Sequence, residues 1–286
     1  MKVRIKQIRL EAEGVHAYRL YPVDVETLPP FTPGAHINVS LGEGLSRSYS
    51  LANDAADPSY YEIAVHLSPS SRGGSQYIHQ NWKVGQVIEI SEPRNNFPLD
   101  ESAEHTVLIA GGIGITPLLP MMCRLDALGK PWTLHYVAQA AERAAYLDQL
   151  SPSETIEVVF DGEPGSPRLD LKSIVEAASP SAHLYCCGPQ GMLEAFTRFA
   201  KGRPEGHVHL EYFTADTKVA TEGGFIIELR KSGLEIEVVP GERILDVLRR
   251  ENVEVEFSCS EGTCGTCETR VISGTPDHRD FFLTDK

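Results

Sequence analysis

The chain lacks a surplus of positive charge. Its 286 residues hold 26 Lys and Arg against 40 Asp and Glu, a formal net charge of -14. An acidic surface repels nucleic-acid phosphates and anionic lipid, so both are excluded as partners, while a basic patch on another protein is not. The opening MKVRIKQIRLEAEG has no apolar run of the kind a secretory signal requires. It alternates Val3 and Ile5 with Lys2, Arg4 and Lys6, which predicts a half-buried strand. Only Thr106–Cys123 is long and uncharged, and Gly111, Gly112, Gly114, Pro117 and Pro120 interrupt it. A buried strand, a glycine loop and a helix start account for it better than a membrane span. Repeats and low-complexity segments are absent. The six cysteines form no disulfide framework of the secreted type, which points to reduced thiols or metal ligands and to the cytoplasm.

The length suits two domains and permits three small ones. Residues 1 to about 100 read as short strands separated by turns, among them HINVSL (36–41), YYEIAVHL (60–67) and QVIEI (86–90). This predicts a small antiparallel β-barrel, with one helix near 73–81. From about 105 to 213 strand and helix patterns alternate, which predicts a doubly wound α/β sheet. The polar segment 214–223 reads as a linker. Beyond it, FIIELRKSGLEIEVV predicts a hairpin around Ser232 and Gly233. ERILDVLRREN places Ile244, Val247 and Leu248 on one helix face.

Four local patterns carry chemistry. RSYSL puts Arg47 and Tyr49 on one face of a strand and Ser50 on the other. SRGGS (71–75) precedes the early helix, and glycines at a helix N-terminus expose backbone N–H groups suited to phosphate. Each is also an ordinary strand or turn. GGIGITP (111–117) stands where a Rossmann glycine loop stands, although Thr116 and Pro117 replace the last glycine of G-x-G-x-x-G. CCGPQGM (186–192) repeats the arrangement after another strand, and two such loops predict a dinucleotide site. Finally, Cys259, Cys264 and Cys267 have the C-x4-C-x2-C spacing of plant-type [2Fe–2S] proteins, with Gly262 and Gly265 between them. Zinc, with His278 as a distant fourth ligand, and chance spacing are the alternatives.

Together these segments resemble the phthalate dioxygenase reductase family, which includes the reductases of vanillate O-demethylase and related Rieske oxygenases. RSYSL, SRGGS, GGIGITP, CCGP, EYF and CSEGTCGTC stand in that family's order over nearly the whole chain. The resemblance implies a multidomain protein. An antiparallel β-barrel FMN domain spans 1–102, an α/β doubly wound NAD domain 103–213, a linker 214–223 and an α+β (β-grasp) ferredoxin domain 224–286. It implies that Arg47 contacts the flavin phosphate, that Ser48 and Tyr49 line the flavin, and that Gly73, Gly74 and Ser75 hold the phosphate. Ala64, Val65 and His66 are expected along the isoalloxazine. Gly111, Gly112, Gly114 and Thr116 are expected at the NADH pyrophosphate, with Gly188 and Pro189 beside the nicotinamide. Ser50, Cys187 and Phe213 fall at the catalytic centre. Cys259, Cys264 and Cys267 are implied cluster ligands; a fourth cysteine is expected about thirty residues further on in the plant-type pattern. Only nineteen residues follow Cys267, so the cluster is expected to lack a ligand in this chain. The implied activity passes electrons from NADH through FMN and [2Fe–2S] to a Rieske-type oxygenase. NADH rather than NADPH is expected because Gln139 and Ala140 offer no charge and Arg143 comes later. A free flavin or ferric reductase, a non-enzymatic redox carrier or sensor, and a zinc-binding module are the rival readings.

Overall fold

Hydrophobic alternation sets the first strand. In β1 (Lys2–Ala12) Val3 and Ile5 are fully buried while Lys2, Arg4 and Lys6 face solvent. The computed structural model describes all residues except 43–44, 70, 72, 151–152, 214–220, 258–261, 263–264, 277–279 and 281–286. The chain forms two units, Met1–Phe213 and Thr214–Lys286.

The first unit begins with the expected barrel. β2 (Val15–Pro22), β3 (His36–Gly42), β4 (Leu45–Ser50), β5 (Tyr61–His66) and β6 (Val87–Glu89) join β1. One sheet has the order β5-β2-β1-β6, and β3 pairs with β4. Antiparallel bridges at Val39–Ile90 and Leu51–Ile63 connect the two sheets at both margins. The circuit is therefore closed, which removes exposed strand edges. Ile5, Leu20, Ile37, Val39, Leu51, Ile63 and Val65 fill the interior. Helix α1 (Gly74–Asn81) contributes Ile78 to the same core.

The rest of the unit is an all-parallel sheet. β7 (Thr106–Gly111), β8 (Trp132–Ala138), β9 (Ile156–Phe160), β10 (His183–Cys187) and β11 (Val208–Glu211) lie in the order β11-β10-β7-β8-β9. Alternation along β7 covers both faces. Leu108 and Ala110 pack with Leu118, Leu119 and Leu125 of α2 (Leu118–Leu128). Val107 and Ile109 pack with Val175 of α3 (Leu171–Ala177) and Leu193 and Phe196 of α4 (Gln190–Ala200). Such double coverage is why β7 reads as an uninterrupted apolar run. The uncharged stretch 106–123 is thus β7, a 3-10 turn at Gly112–Ile115 and the first half of α2. Among the described residues no helix is long and apolar enough to cross a membrane. Ala12, Val15, Ala52 and Ala64 of the barrel belong to the same apolar cluster as α2, so barrel and sheet share a core.

In the second unit β12 (Phe225–Leu229) and β13 (Leu234–Val238) form the expected hairpin, with Gly233 at φ 68° in its turn. Val247 and Leu248 of α5 (Ile244–Arg250) close over Ile236 and Val238. Ile244 departs from the expected helix face: it is the first residue of α5 and stays exposed, because one turn of helix lies beyond the small core.

Candidate functional site

The strand order reverses at β7: the chain leaves it toward β8 on one side and returns to β10 on the other. Open α/β sheets bind ligands outside the carboxyl ends of the strands at such a point. Both glycine loops fall there. A Cβ added to Gly114 would stand 2.2 Å from the Cys187 carbonyl oxygen, and the Gly188 ideal Cβ position is 3.1 Å from the Gly111 backbone. The two loops therefore touch backbone to backbone, and glycine is required for sterics rather than flexibility. The Thr116 hydroxyl turns inward and donates to the Ile113 carbonyl at 3.0 Å. Pro189 immediately precedes α4.

The phosphate-type pattern sits on the barrel. Gly73, the N-cap of α1, has φ 89° and no side chain to cap the helix, the Gln76 N–H is met by Ser71 Oγ at 3.4 Å, and no acid occupies the first turn. The Arg47 side chain crosses this helix start: a Cβ on Gly74 would lie 2.7 Å from Arg47 Cγ. Uncapped N–H groups beside a guanidinium fit a phosphate dianion by charge and by geometry. Ser75 Oγ donates to Ser71 Oγ at 3.0 Å and accepts from the Ser68 N–H at 3.3 Å, which fixes the loop before the helix. Ser48 donates to Asn38 Oδ1 at 2.8 Å across β3 and β4. Tyr49 packs against the barrel core, and burial holds its phenol far above the usual range, so it is neutral. On β5 the alternation separates the three expected residues. Ala64 faces the core shared with the sheet, Val65 faces the barrel interior and His66 is exposed. The Val65 carbonyl accepts from His79 Nε2 at 2.8 Å.

Between these two regions the barrel and the sheet bring three groups together. Ser50 ends β4 and is 6 % exposed. Its hydroxyl donates to Glu211 Oε2 at 3.4 Å, across 161 residues of sequence. Parallel register sets Glu211 beside Cys187. Burial pushes the Glu211 carboxyl up to about 8, partly offset by the Ser50 hydrogen bond. Burial, then the Glu211 charge, raises the Cys187 thiol well above its usual value. Cys187 is accordingly a neutral thiol, unsuited to act as a nucleophile. Phe213, two residues beyond Glu211, is 36 % exposed. Glu211 escaped the sequence reading. Its one signal is an acid closing strand 208–211, inside the EYF motif whose family resemblance points to Phe213.

In the second unit Cys267 is partly exposed, and Gly262 and Gly265 both have φ 69°. Two left-handed glycines fit a loop that must fold tightly round an inorganic cluster. Cys259 and Cys264 lie outside the described residues. Among the described residues no group of three or more His, Cys, Asp or Glu side chains converges as a metal site.

Comparison with known proteins agrees with this geometry. Residues 227–286 match the 2Fe-2S iron-sulfur cluster binding domain. The chain is 48 % identical to phenoxybenzoate dioxygenase subunit beta of Ectopseudomonas oleovorans over 287 residues, covering 100 % of this chain and 90 % of that protein. It is 40 % identical to the vanillate O-demethylase oxidoreductase of a Pseudomonas species, covering 100 % of this chain and 92 % of that one. Its structure superposes on that of phthalate dioxygenase reductase, described as modular for electron transfer from pyridine nucleotides to [2Fe–2S]. The TM-score is 0.81 at 36 % identity, over 100 % of this chain and 90 % of the other. With a closed flavin-type barrel, a dinucleotide-type sheet and an iron–sulfur domain in this order, the chain belongs to the phthalate dioxygenase reductase family of oxygenase reductases.

Proposed function

We propose that the chain is the NADH-dependent reductase component of a Rieske-type oxygenase system, carrying electrons from NADH through FMN and a [2Fe–2S] cluster to the oxygenase. The observation that carries this reading is the meeting of Ser50 from the barrel with Cys187 and Glu211 from the sheet, between the two loops suited to phosphates. The domain assignment is a flavin barrel at 1–102, a nucleotide domain at 103–213, a linker at 214–223 and a ferredoxin domain at 224–286. The family supports a protein of the cytoplasm, where its nicotinamide substrate and reduced thiols are found.

Bound FMN supplies the conversion of a hydride pair into single electrons, chemistry that belongs to the cofactors. The protein holds and orients. Arg47 and the first-turn N–H groups of α1 would bind the flavin phosphate, while Tyr49 and the β5 backbone at 64–66 would border its ring, the Val65 side chain facing the barrel interior. The loops at 111–114 and 187–189 would receive the pyrophosphate and nicotinamide, Gly111 and Gly114 letting the two loops close on each other. Phe213 covers the flavin face on which nicotinamide stacks. Ser50 presents its hydroxyl to the reacting edge. Glu211 holds a proton behind Ser50 up to about pH 8, so no negative charge opposes hydride arrival at neutral pH. Cys259, Cys264 and Cys267 serve as thiolate ligands of the cluster.

Anaerobic addition of NADH to the purified chain tests the reading. Bleaching of the flavin and FMN on extraction are expected, with iron and acid-labile sulfide labile or absent while only three cysteine ligands are supplied. A chain that binds FMN yet is not bleached by NADH would be a carrier rather than a reductase. Bleaching without iron or sulfide in a chain extended to supply a fourth cysteine would favour a free flavin reductase.

A further inference from the structure

The loop after β8 contains the sequence QAAERAAYLDQL (139–150), and Arg143 is its one cation. In dinucleotide-binding sheets the end of the second strand meets the adenosine ribose. An arginine there accommodates the 2′-phosphate of NADPH. Here that arginine is already engaged. Arg143 Nε meets Glu13 Oε2 at 2.9 Å, and Arg143 Nη1 donates to Gln139 Oε1 at 2.7 Å. Glu13 lies in the turn between β1 and β2, on the barrel, 130 residues away. The same turn grips the loop by its backbone, the Glu13 N–H donating to the Glu142 carbonyl at 2.6 Å, and the Glu11 carboxylate at the end of β1 accepts from the Tyr146 N–H at 3.0 Å. The other cation against this loop, Arg9, is itself paired with Glu11 and Glu62, and His66 of β5 also faces Arg143; the remaining charges at the strand end are negative. Glu142 adjoins Arg143, and the Asp161 N–H donates to the Ala138 carbonyl, which sets that acid beside the end of β8.

We propose that Glu13, a residue of the flavin barrel, sets the preference for NADH by neutralising Arg143 and holding it away from the position a 2′-phosphate would take. The inference rests on the reductase reading for the site and adds a specificity-determining pair to it. It also explains why the pair bridges barrel and sheet without contributing much to their cohesion. The Arg143 and Glu13 side chains are 52 % and 63 % exposed, and exposed pairs stabilise little. Removing the carboxylate therefore takes away the arginine's only charged partner among the described residues, leaving Gln139, without unfolding the loop, which keeps the Glu13 N–H bond to the Glu142 carbonyl.

The experiment uses the full chain with FMN bound and four variants: Glu13→Gln, Arg143→Ala, the double variant and wild type. Calorimetric binding of adenosine 2′,5′-bisphosphate reads the phosphate without turnover, and kcat/KM is measured with NADH and NADPH. Glu13→Gln should bind the bisphosphate about three- to tenfold more tightly, as expected for an exposed charge at moderate ionic strength. NADPH kcat/KM should rise by the same factor, with NADH within twofold of wild type. Arg143→Ala alone should leave the NADPH:NADH ratio unchanged, and in the double variant the gain should vanish. Unchanged bisphosphate affinity in Glu13→Gln overturns the proposal, as does a gain that survives in the double variant. A wild-type chain that bound adenine nucleotides but did not oxidise NADH would instead count against the reductase reading, and the calorimetric arm would still decide the role of Glu13.

Discussion

Ile5, Leu20, Ile37 and Ile63 of the first unit have no exposed surface, whereas Phe225, Ile226, Leu234 and Ile244 of the second are between 45 and 67 % exposed. The first unit owns a closed barrel interior, a sheet covered on both faces and a cluster that joins them. Among its described residues the second has one small core, Ile236, Val238, Val247 and Leu248, with four further apolar side chains against it. The contrast locates the work of the cofactors. In the first unit nucleotides dock on a scaffold that burial already holds. In the second, the described hairpin and seven-residue helix bury little, so metal held by the cysteine segment would add folding energy, as it commonly does in small metal-bound domains.

The strongest way to break this comparison is to remove the metal. In the iron-loaded protein Cys267→Ser should abolish iron binding and the thermal transition of the second unit. The transition of the first unit and NADH-driven bleaching of FMN should persist. Differential scanning calorimetry with iron analysis reads both; a second unit that melts normally without iron would place its stability in burial after all.

A steric change should do the converse. Gly114→Ala drives a methyl into the Cys187 carbonyl, an approach that backbone movement alone can relieve. We expect a loss of roughly 2–4 kcal/mol from the first unit and weaker NADH binding, with the second unit unaffected. Gly191→Ala, where a Cβ meets nothing within 4 Å, is the control. Equal behaviour of the two variants in denaturant titrations would remove the cradle.

Within the first unit Arg47→Ala and Ser50→Ala should differ in kind. Loss of the guanidinium removes a charge-assisted bond to phosphate, about 1.5–3 kcal/mol, so FMN affinity should fall roughly ten- to hundredfold. Ser50→Ala should retain FMN and slow its reduction. Fluorescence titration and stopped-flow reduction separate the two, and wild-type values for both variants would dissolve the assignment.

The smallest effect concerns Glu211. Its folded value, about 8, lies above the ordinary carboxylate value, so the folded chain keeps a proton that the unfolded chain releases. Stability is therefore complete below the ordinary carboxylate range and declines as pH rises to about 8, by at most ~1.4 kcal/mol per pH unit. Melting curves of the first unit between pH 5 and 9 should slope downward in wild type and flatten in Glu211→Gln. Parallel curves would mean that Glu211 is ionised in the folded protein.

What could be read from residues alone was whatever depends on neighbours in the chain. Alternation of Val3 and Ile5 with lysine and arginine predicts a strand, the run at 105–110 a buried one and 132–138 a further parallel one, because side-chain period follows local backbone geometry. Glycine pairs marked the loops at 73–74 and 111–112, and cysteine spacing marked the cluster segment, for the same reason. Tertiary structure alone decided which distant groups meet. No local pattern sets Ser50 against Glu211, Gly114 against the Cys187 carbonyl, or Glu13 against Arg143. Those meetings follow from barrel closure and from the order β11-β10-β7-β8-β9, which pack segments more than a hundred residues apart and some as near as seventy. The environments they create, above all the one that raises the Glu211 carboxyl, arise from packing between distant segments and belong to no single stretch of sequence.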